Sequence, residues 1–245
     1  MILPTEKRTA VTINPRFLVY FGKPKAGKTT LAAGLDSNLI IDLEQGTHHL
    51  EALVVEAKSV KDLSDIAKAI GDKNKEIGKY FYQRITIDNG TKLEEMILPL
   101  ALQLYNQTPM GKNYTDDVRK LPNGAGYLYI REAFFKVIDM FKSLCETLIL
   151  ICHCSDKLIN KEGKELSEMS IDLTGKTARL VAADADAIGY VYRQKNQTFI
   201  NFNGGGDFIV EARQAHLRGK EIVVAESDED NKVTTYWDRV FLKDK

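Results

Sequence analysis

The sequence has no surplus of either charge. Lys and Arg total 34, Asp and Glu total 34, and the formal net charge is zero. Bulk electrostatics therefore offers nothing toward a polyanionic partner, and any such binding must come from local patches. Cysteine is scarce and poorly spaced for bridging: three residues, an odd number, all between 145 and 154. That excludes a disulfide framework and fits a reducing cytosol. No apolar run approaches the roughly 20 residues a membrane helix needs. Lys7, Arg8 and Arg16 interrupt the N-terminus where a secretory leader would be apolar. Internal repeats and low-complexity linkers are missing too. What remains is 245 residues, 44% hydrophobic and 28% charged, an ordinary globular composition long enough for a large core without staples.

The first two-thirds alternate between two periods. Four short apolar runs, RFLVYF (16–21), NLIIDLE (38–44), RITIDN (84–89) and TLILICHC (147–154), read as strands covered on both faces. Between them, Ser59–Ile70, Thr91–Tyr105 and Tyr127–Leu144 carry apolar residues at helical spacing. Thr91 and Glu94 match a capping box, and Pro99 should kink the second of these helices. Such alternation predicts an α/β fold with a mostly parallel twisted sheet and helices on both faces. Farther on, ADAIGYVYRQ, QTFINF and DFIVEARQ are split by KN and NGGG and predict antiparallel C-terminal strands. The division expected is one domain over 1–225 and an acidic, aromatic tail over 226–245, whose run 226–230 is most simply a solvated loop.

GKPKAGKTT (22–30) follows a strand and opens a helix, the context that gives G-x-x-x-x-G-K-[ST] its meaning. The loop comprises Gly22, Lys23, Pro24, Lys25, Ala26, Gly27, Lys28, Thr29 and Thr30. Its glycines let backbone N–H groups turn toward a polyphosphate, and the helix N-terminus adds partial positive charge. Lys28 is expected on the β- and γ-phosphates of ATP, and the Thr29 hydroxyl on Mg²⁺. Asp88, closing ITID, is the candidate second metal carboxylate; it could also be a turn residue before Asn89-Gly90. Glu44 closes LIIDLE. It would either face the same crevice and polarise the attacking water, or be a surface glutamate before a Gln-Gly turn.

ICHCSD (151–156) sets a histidine between two cysteines. Strand alternation puts Cys152 and Cys154 on one face and His153 on the other, so the three cannot share a metal from a regular strand. The cysteines read as small core hydrophobes. His153 ends the fourth strand and is expected to contact the γ-phosphate and report hydrolysis to the next loop.

In the order GKPKAGKTT, IDLE, ITIDN, LILICH, then LTGKTARLVAADADAIGYVY, these motifs resemble the RecA/RadA-type recombinase core over roughly residues 15–220. They are most similar to the small phage-encoded, RecA-like single-strand annealing ATPases of the Sak type. The resemblance implies a RecA-like P-loop NTPase core with Glu44 as catalytic carboxylate and His153 as sensor. It implies two long DNA-facing loops, 106–126 with Lys112, Tyr114, Arg119 and Lys120, and 155–176 with Lys157, Lys161 and Lys164. Basic side chains beside an aromatic suit a single strand, although Asp116, Asp117, Glu162 and Glu165 offset them. ARQAHLRGK (212–220) resembles the stretch from which such subunits send a basic residue, here Arg218 or Lys220, into a neighbour's site, which implies a homo-oligomer, ring or filament. A glutamine is usual where His153 stands, which favours annealing over strand exchange.

The function these features predict is a Mg²⁺-dependent, DNA-dependent ATP hydrolase. It would bind single-stranded DNA in phage recombination, in the host cytoplasm, with a single-strand-binding protein as a possible partner and no membrane association. The rivals are an ATP-switched adaptor or helicase loader, and a nucleotide or small-molecule kinase, for which TGKTARL is too poor in arginine to make a lid.

Overall fold

Every residue of the first strand, β1 (Phe17–Gly22), is buried. Phe17, Val19 and Phe21 face one hydrophobic cluster, and Leu18 and Tyr20 face another. That two-sided burial is why the segment reads as an unbroken apolar run. The computed structural model describes residues 3, 5–7, 11–161, 164–204 and 209–243, and of 156–168 the backbone alone.

After β1 come α1 (Lys28–Ala33), β2 (Asn38–Asp42), β3 (Leu53–Glu56), α2 (Val60–Ile77), β4 (Arg84–Asp88), α3 (Gly90–Met96), α4 (Leu98–Asn106), α5 (Gly126–Lys142), β5 (Thr147–Lys161) and β6 (Lys164–Ile171). Then follow α6 (Thr177–Asp184), β7 (Ala187–Gln194), β8 (Gln197–Asn201), β9 (Glu211–Ala212), β10 (Glu221–Ser227) and β11 (Val233–Thr235). The sheet order is β11-β10-β8-β7-β1-β5-β4-β2-β3. From β7 to β3 neighbouring strands are parallel, and from β7 to β11 antiparallel. This is the α/β architecture expected, with the antiparallel strands at the C-terminal end. Helices α2 to α6 cover one face. The other is covered by short α1 and by Leu217, Trp237, Val240 and Phe241.

Four expectations need correction. β3 has no counterpart in the sequence reading; it is a half-exposed edge strand whose apolar run, Leu53 to Val55, is only three residues long. Thr91 and Glu94 form no capping box: Asn89 is the N-cap, accepting from Lys92 N at 2.9 Å. Thr91 Oγ1 instead donates to Asp172 O at 2.8 Å. Glu94, buried, accepts from Thr174 N at 2.9 Å and from Thr174 Oγ1 at 2.6 Å. A long-range partner has displaced the local pattern. Pro99 does break the predicted helix, separating α3 from α4.

The two long loops are not structureless. Residues 106–126 hold two 3-10 turns, anchored by buried Val118 and Leu121, with Tyr114 packed edge-on against Tyr105. The 155–176 stretch is largely a ribbon, in which β5 runs on past the sheet and pairs antiparallel with β6 from Cys154↔Ile171 to Lys161↔Lys164. The ladder satisfies backbone groups that an open loop would leave to water.

The segment expected as a tail is built into the molecule over 226–243. β11 pairs with β10, and Trp237 is 7% exposed. The Trp237 indole N–H donates to Leu31 O at 2.8 Å, and Thr235 Oγ1 to Gly34 O at 3.0 Å. These bonds fasten the C-terminal end of α1, where Leu31 O also accepts from Gly34 N at 3.2 Å. Among the described residues no helix is long and apolar enough to cross a membrane.

Candidate functional site

Register brings the chemistry to one end of the sheet. Gly22 lies beside His153 across β1 and β5, and Asp42 beside Asp88 across β2 and β4. The parallel strands thus end together, and their carboxyl ends open a crevice of about 460 Å³.

One wall is the phosphate loop. Lys25 and Gly27 both have positive φ, 64° and 90°; for Gly27 the missing Cβ makes that conformation cheap. Gly22 is required for closeness: a Cβ there would lie 2.3 Å from Val191 O. The Lys28 ammonium donates to Gly22 O and Lys23 O, each at 2.9 Å, and burial lowers its pKa. Beneath it the Tyr20 hydroxyl donates to Lys28 O at 3.1 Å.

Thr29 Oγ1 donates to Asp88 Oδ2 at 2.5 Å. Asp88 is 7% exposed. Burial pushes its carboxyl up to about 6, with Glu44 and Asp42 adding to the rise and the Thr29 hydrogen bond and Lys28 opposing it. A hydroxyl and a carboxylate this close, beside a lysine, fit a Mg²⁺ ion on a nucleotide polyphosphate. The residues present therefore suit the cofactor the loop implies.

Opposite stands Glu44, placed by a residue whose part the sequence reading missed. Asp42 is buried, and its Oδ1 accepts from Glu44 N at 2.9 Å and Gln45 N at 2.7 Å. Its Oδ2 accepts from Thr47 N at 3.1 Å and Thr47 Oγ1 at 2.6 Å. Four bonds from one carboxylate fold the turn after β2, which leaves Glu44 on a turn rather than at the strand's end. The aspartate in IDLE was the available signal, since Asp side chains hydrogen-bond N–H groups just ahead of them.

His153 and Glu44 meet: Nε2 lies 3.3 Å from Glu44 Oε1. Asn89 Nδ2 lies 3.0 Å from the same nitrogen. Asn89 Oδ1 is already accepting from Lys92 N, so its amide N–H₂ faces the ring and Nε2 accepts. The proton then sits on Nδ1, which has no partner among the described residues. Nε2 can turn to Glu44 as a donor only by giving up Asn89. Cys152 and Cys154 lie on the other side of β5, as alternation requires, and burial pushes the Cys152 thiol far up.

Other candidates sit apart from the crevice. Arg119 pairs with Asp117, and Lys120 with Asp116 at 2.9 Å, while Lys112 is exposed. Lys157, Lys161 and Lys164 lie on the ribbon, with their side chains outside the described residues. Arg218 folds back on its own turn, donating to Ala212 O at 3.0 Å and Arg213 O at 2.8 Å, rather than projecting. Arg193, which the sequence reading did not single out, lines the crevice.

The profile of the AAA domain family matches residues 14–225. Among solved structures, a KaiC-like protein from the hyperthermophilic archaeon Pyrococcus horikoshii is similar at 14% identity, over 91% of this chain and 91% of that one, with a TM-score of 0.46. A RadB recombinase is similar at 13% identity, over 90% of this chain and 91% of that one, with a TM-score of 0.45. Neither likeness bears on the chemistry. No curated protein matches the chain.

Proposed function

The chain belongs to the AAA domain family, and from that premise we propose that it is a Mg²⁺-dependent ATPase that acts on single-stranded DNA as an oligomer, promoting strand annealing. One observation carries the hydrolytic part: the Thr29–Asp88 pair and the Glu44–His153–Asn89 contact line one crevice, where the parallel pairing of the strands stops. A carboxylate and a hydroxyl to hold the cation, a lysine for the phosphates and a second carboxylate for water are the parts phosphoryl transfer needs.

In this reading the phosphate loop holds the nucleotide and Lys28 leaves its loop carbonyls for the β- and γ-phosphates. Mg²⁺, held by Thr29 and Asp88, would offset charge on the phosphate oxygens. Asp88 is ionised above pH 6, so the cation-holding form dominates at neutral pH. Glu44, fixed by Asp42, orients the water for in-line attack. His153 senses the γ-phosphate by exchanging Asn89 for Glu44.

The DNA part rests on the motif order and on the ribbon that continues without a break from His153 along β5. In an oligomer, a basic side chain from 212–220 would reach the neighbouring site; for Arg218 this means releasing two carbonyls, whereas Lys220 is exposed. The acid-paired Arg119 and Lys120 favour a second reading, an ATP-switched adaptor without DNA-stimulated turnover. Steady-state ATP hydrolysis with and without single-stranded DNA, using Lys28→Ala as the blank, separates the two. Stimulation severalfold or more supports the annealing ATPase, and turnover indifferent to DNA supports the adaptor.

A further inference from the structure

The hairpin of β7 and β8 packs on the phosphate loop. Val191 O abuts Gly22, and two residues on, Arg193 reaches Gly27: a Cβ built on Gly27 would lie 4.0 Å from Arg193 Cδ and 3.8 Å from Thr198 Oγ1. Arg193 and Thr198 are partners across the hairpin. Arg193 lines the crevice, and its guanidinium donates to Ser227 Oγ at 3.2 Å. Among the described residues no carboxylate pairs with it. An exposed arginine that is anchored by a neutral hydroxyl, lies beside a phosphate-binding loop and is free of an acidic partner is placed to receive an anion.

Topology says which end of the anion. β1 separates β7 from β5, and Asp88 and Glu44 lie beyond β5, on or after β4 and β2. Those carboxylates mark the γ-phosphate side. Arg193 is on the opposite side of the loop, so a nucleotide whose γ-phosphate met those carboxylates would turn its nucleoside-proximal phosphates to it. Resting on the ATPase reading above, we infer that Arg193 is a clamp in the same chain for the nucleoside-proximal phosphates, the part ATP and ADP share. Ser227 positions it. The contact is equal before and during hydrolysis, so it contributes affinity rather than rate.

Calorimetric titration of ADP and ATP into the full chain, paired with steady-state hydrolysis, tests this. Arg193→Ala is expected to weaken ADP and ATP by the same factor, on the order of 10–100-fold, with the loss falling on Kd and KM rather than on kcat. Arg193→Lys should recover part of it, because a point charge replaces a fork. Ser227→Ala should weaken both nucleotides by a smaller common factor, which keeps the test open should the arginine variant fold poorly. A fall in kcat with unchanged ADP affinity would assign the arginine to the γ-phosphate and overturn the clamp, as would unchanged binding of both nucleotides. A wild-type chain that binds neither nucleotide, or a Lys28→Ala variant that binds them as well as wild type, overturns the ATPase reading itself.

Discussion

Replacing Asp88 with Asn should make the nucleotide-free protein more stable while disabling it. The carboxyl is buried, and its pKa is raised from 3.8 to about 6, chiefly by that burial. A group with a raised folded pKa favours folding fully below its unfolded pKa and loses that contribution as pH rises through the folded one. At pH 8 the ionised carboxylate therefore costs about 3 kcal/mol relative to an uncharged group, falling to roughly half of that at pH 5. Asn keeps the shape and can still accept from Thr29, whose hydroxyl donates to Asp88 Oδ2 at 2.5 Å. For a chain of this size the gain corresponds to a rise in Tm of roughly 6–12 °C. Thermal unfolding in EDTA from pH 5 to pH 8 reads it directly, with a gap between variant and wild type that widens with pH. Added Mg²⁺ and ATP should narrow the gap at pH 8 by stabilising the wild type more, since it alone holds the cation through a carboxylate. A variant no more stable than wild type at pH 8, or a gap independent of pH, would mean that the buried carboxylate carries no such cost.

Glu44→Gln should retain ATP binding and lose turnover on the order of 100-fold or more, measured by hydrolysis at saturating nucleotide; equal losses in binding would make the residue a ligand instead. Trp237→Ala should destabilise the fold by about 3–5 kcal/mol in urea unfolding, because the ring is buried against the face that carries α1. Trp237→Phe should lose only about 1 kcal/mol, chiefly the bond to Leu31 O. Equal effects of the two would remove the packing argument.

Much of the crevice was legible because two local rules sufficed. Period-2 alternation sorted Cys152 and Cys154 from His153, and apolar runs ending in Gly22, Asp88 and His153 placed those residues where parallel strands stop. Arg193 was illegible for the opposite reason. Its place depends on β7 lying beside β1, a pairing between segments some 170 residues apart, and nothing local in YVYRQ marks it. Glu94 shows a local signal overruled: T-x-x-E is a capping signature, yet Thr174 offered a buried carboxylate two donors from across the fold. Tail chemistry misled in the same way. The acidic run is a solvated turn over 228–230, as its charge suggests, but the aromatic residues behind it gave no sign that they would finish the packing over α1. The ribbon's charged arms lack the sustained apolar alternation of a half-buried strand, so the segment reads as a loop.

Asn14 Nδ2 donates to Leu242 O at 2.9 Å, and Leu242 N to Asn14 Oδ1 at 2.7 Å. The stretches around Asn14 and Leu242 are thus stitched together just ahead of β1, at the end of the sheet opposite the strand ends that form the crevice. A short linker could close the backbone into a circle there, and the order of the elements could be restarted at an exposed turn such as that around Gly78 without moving a residue of the crevice.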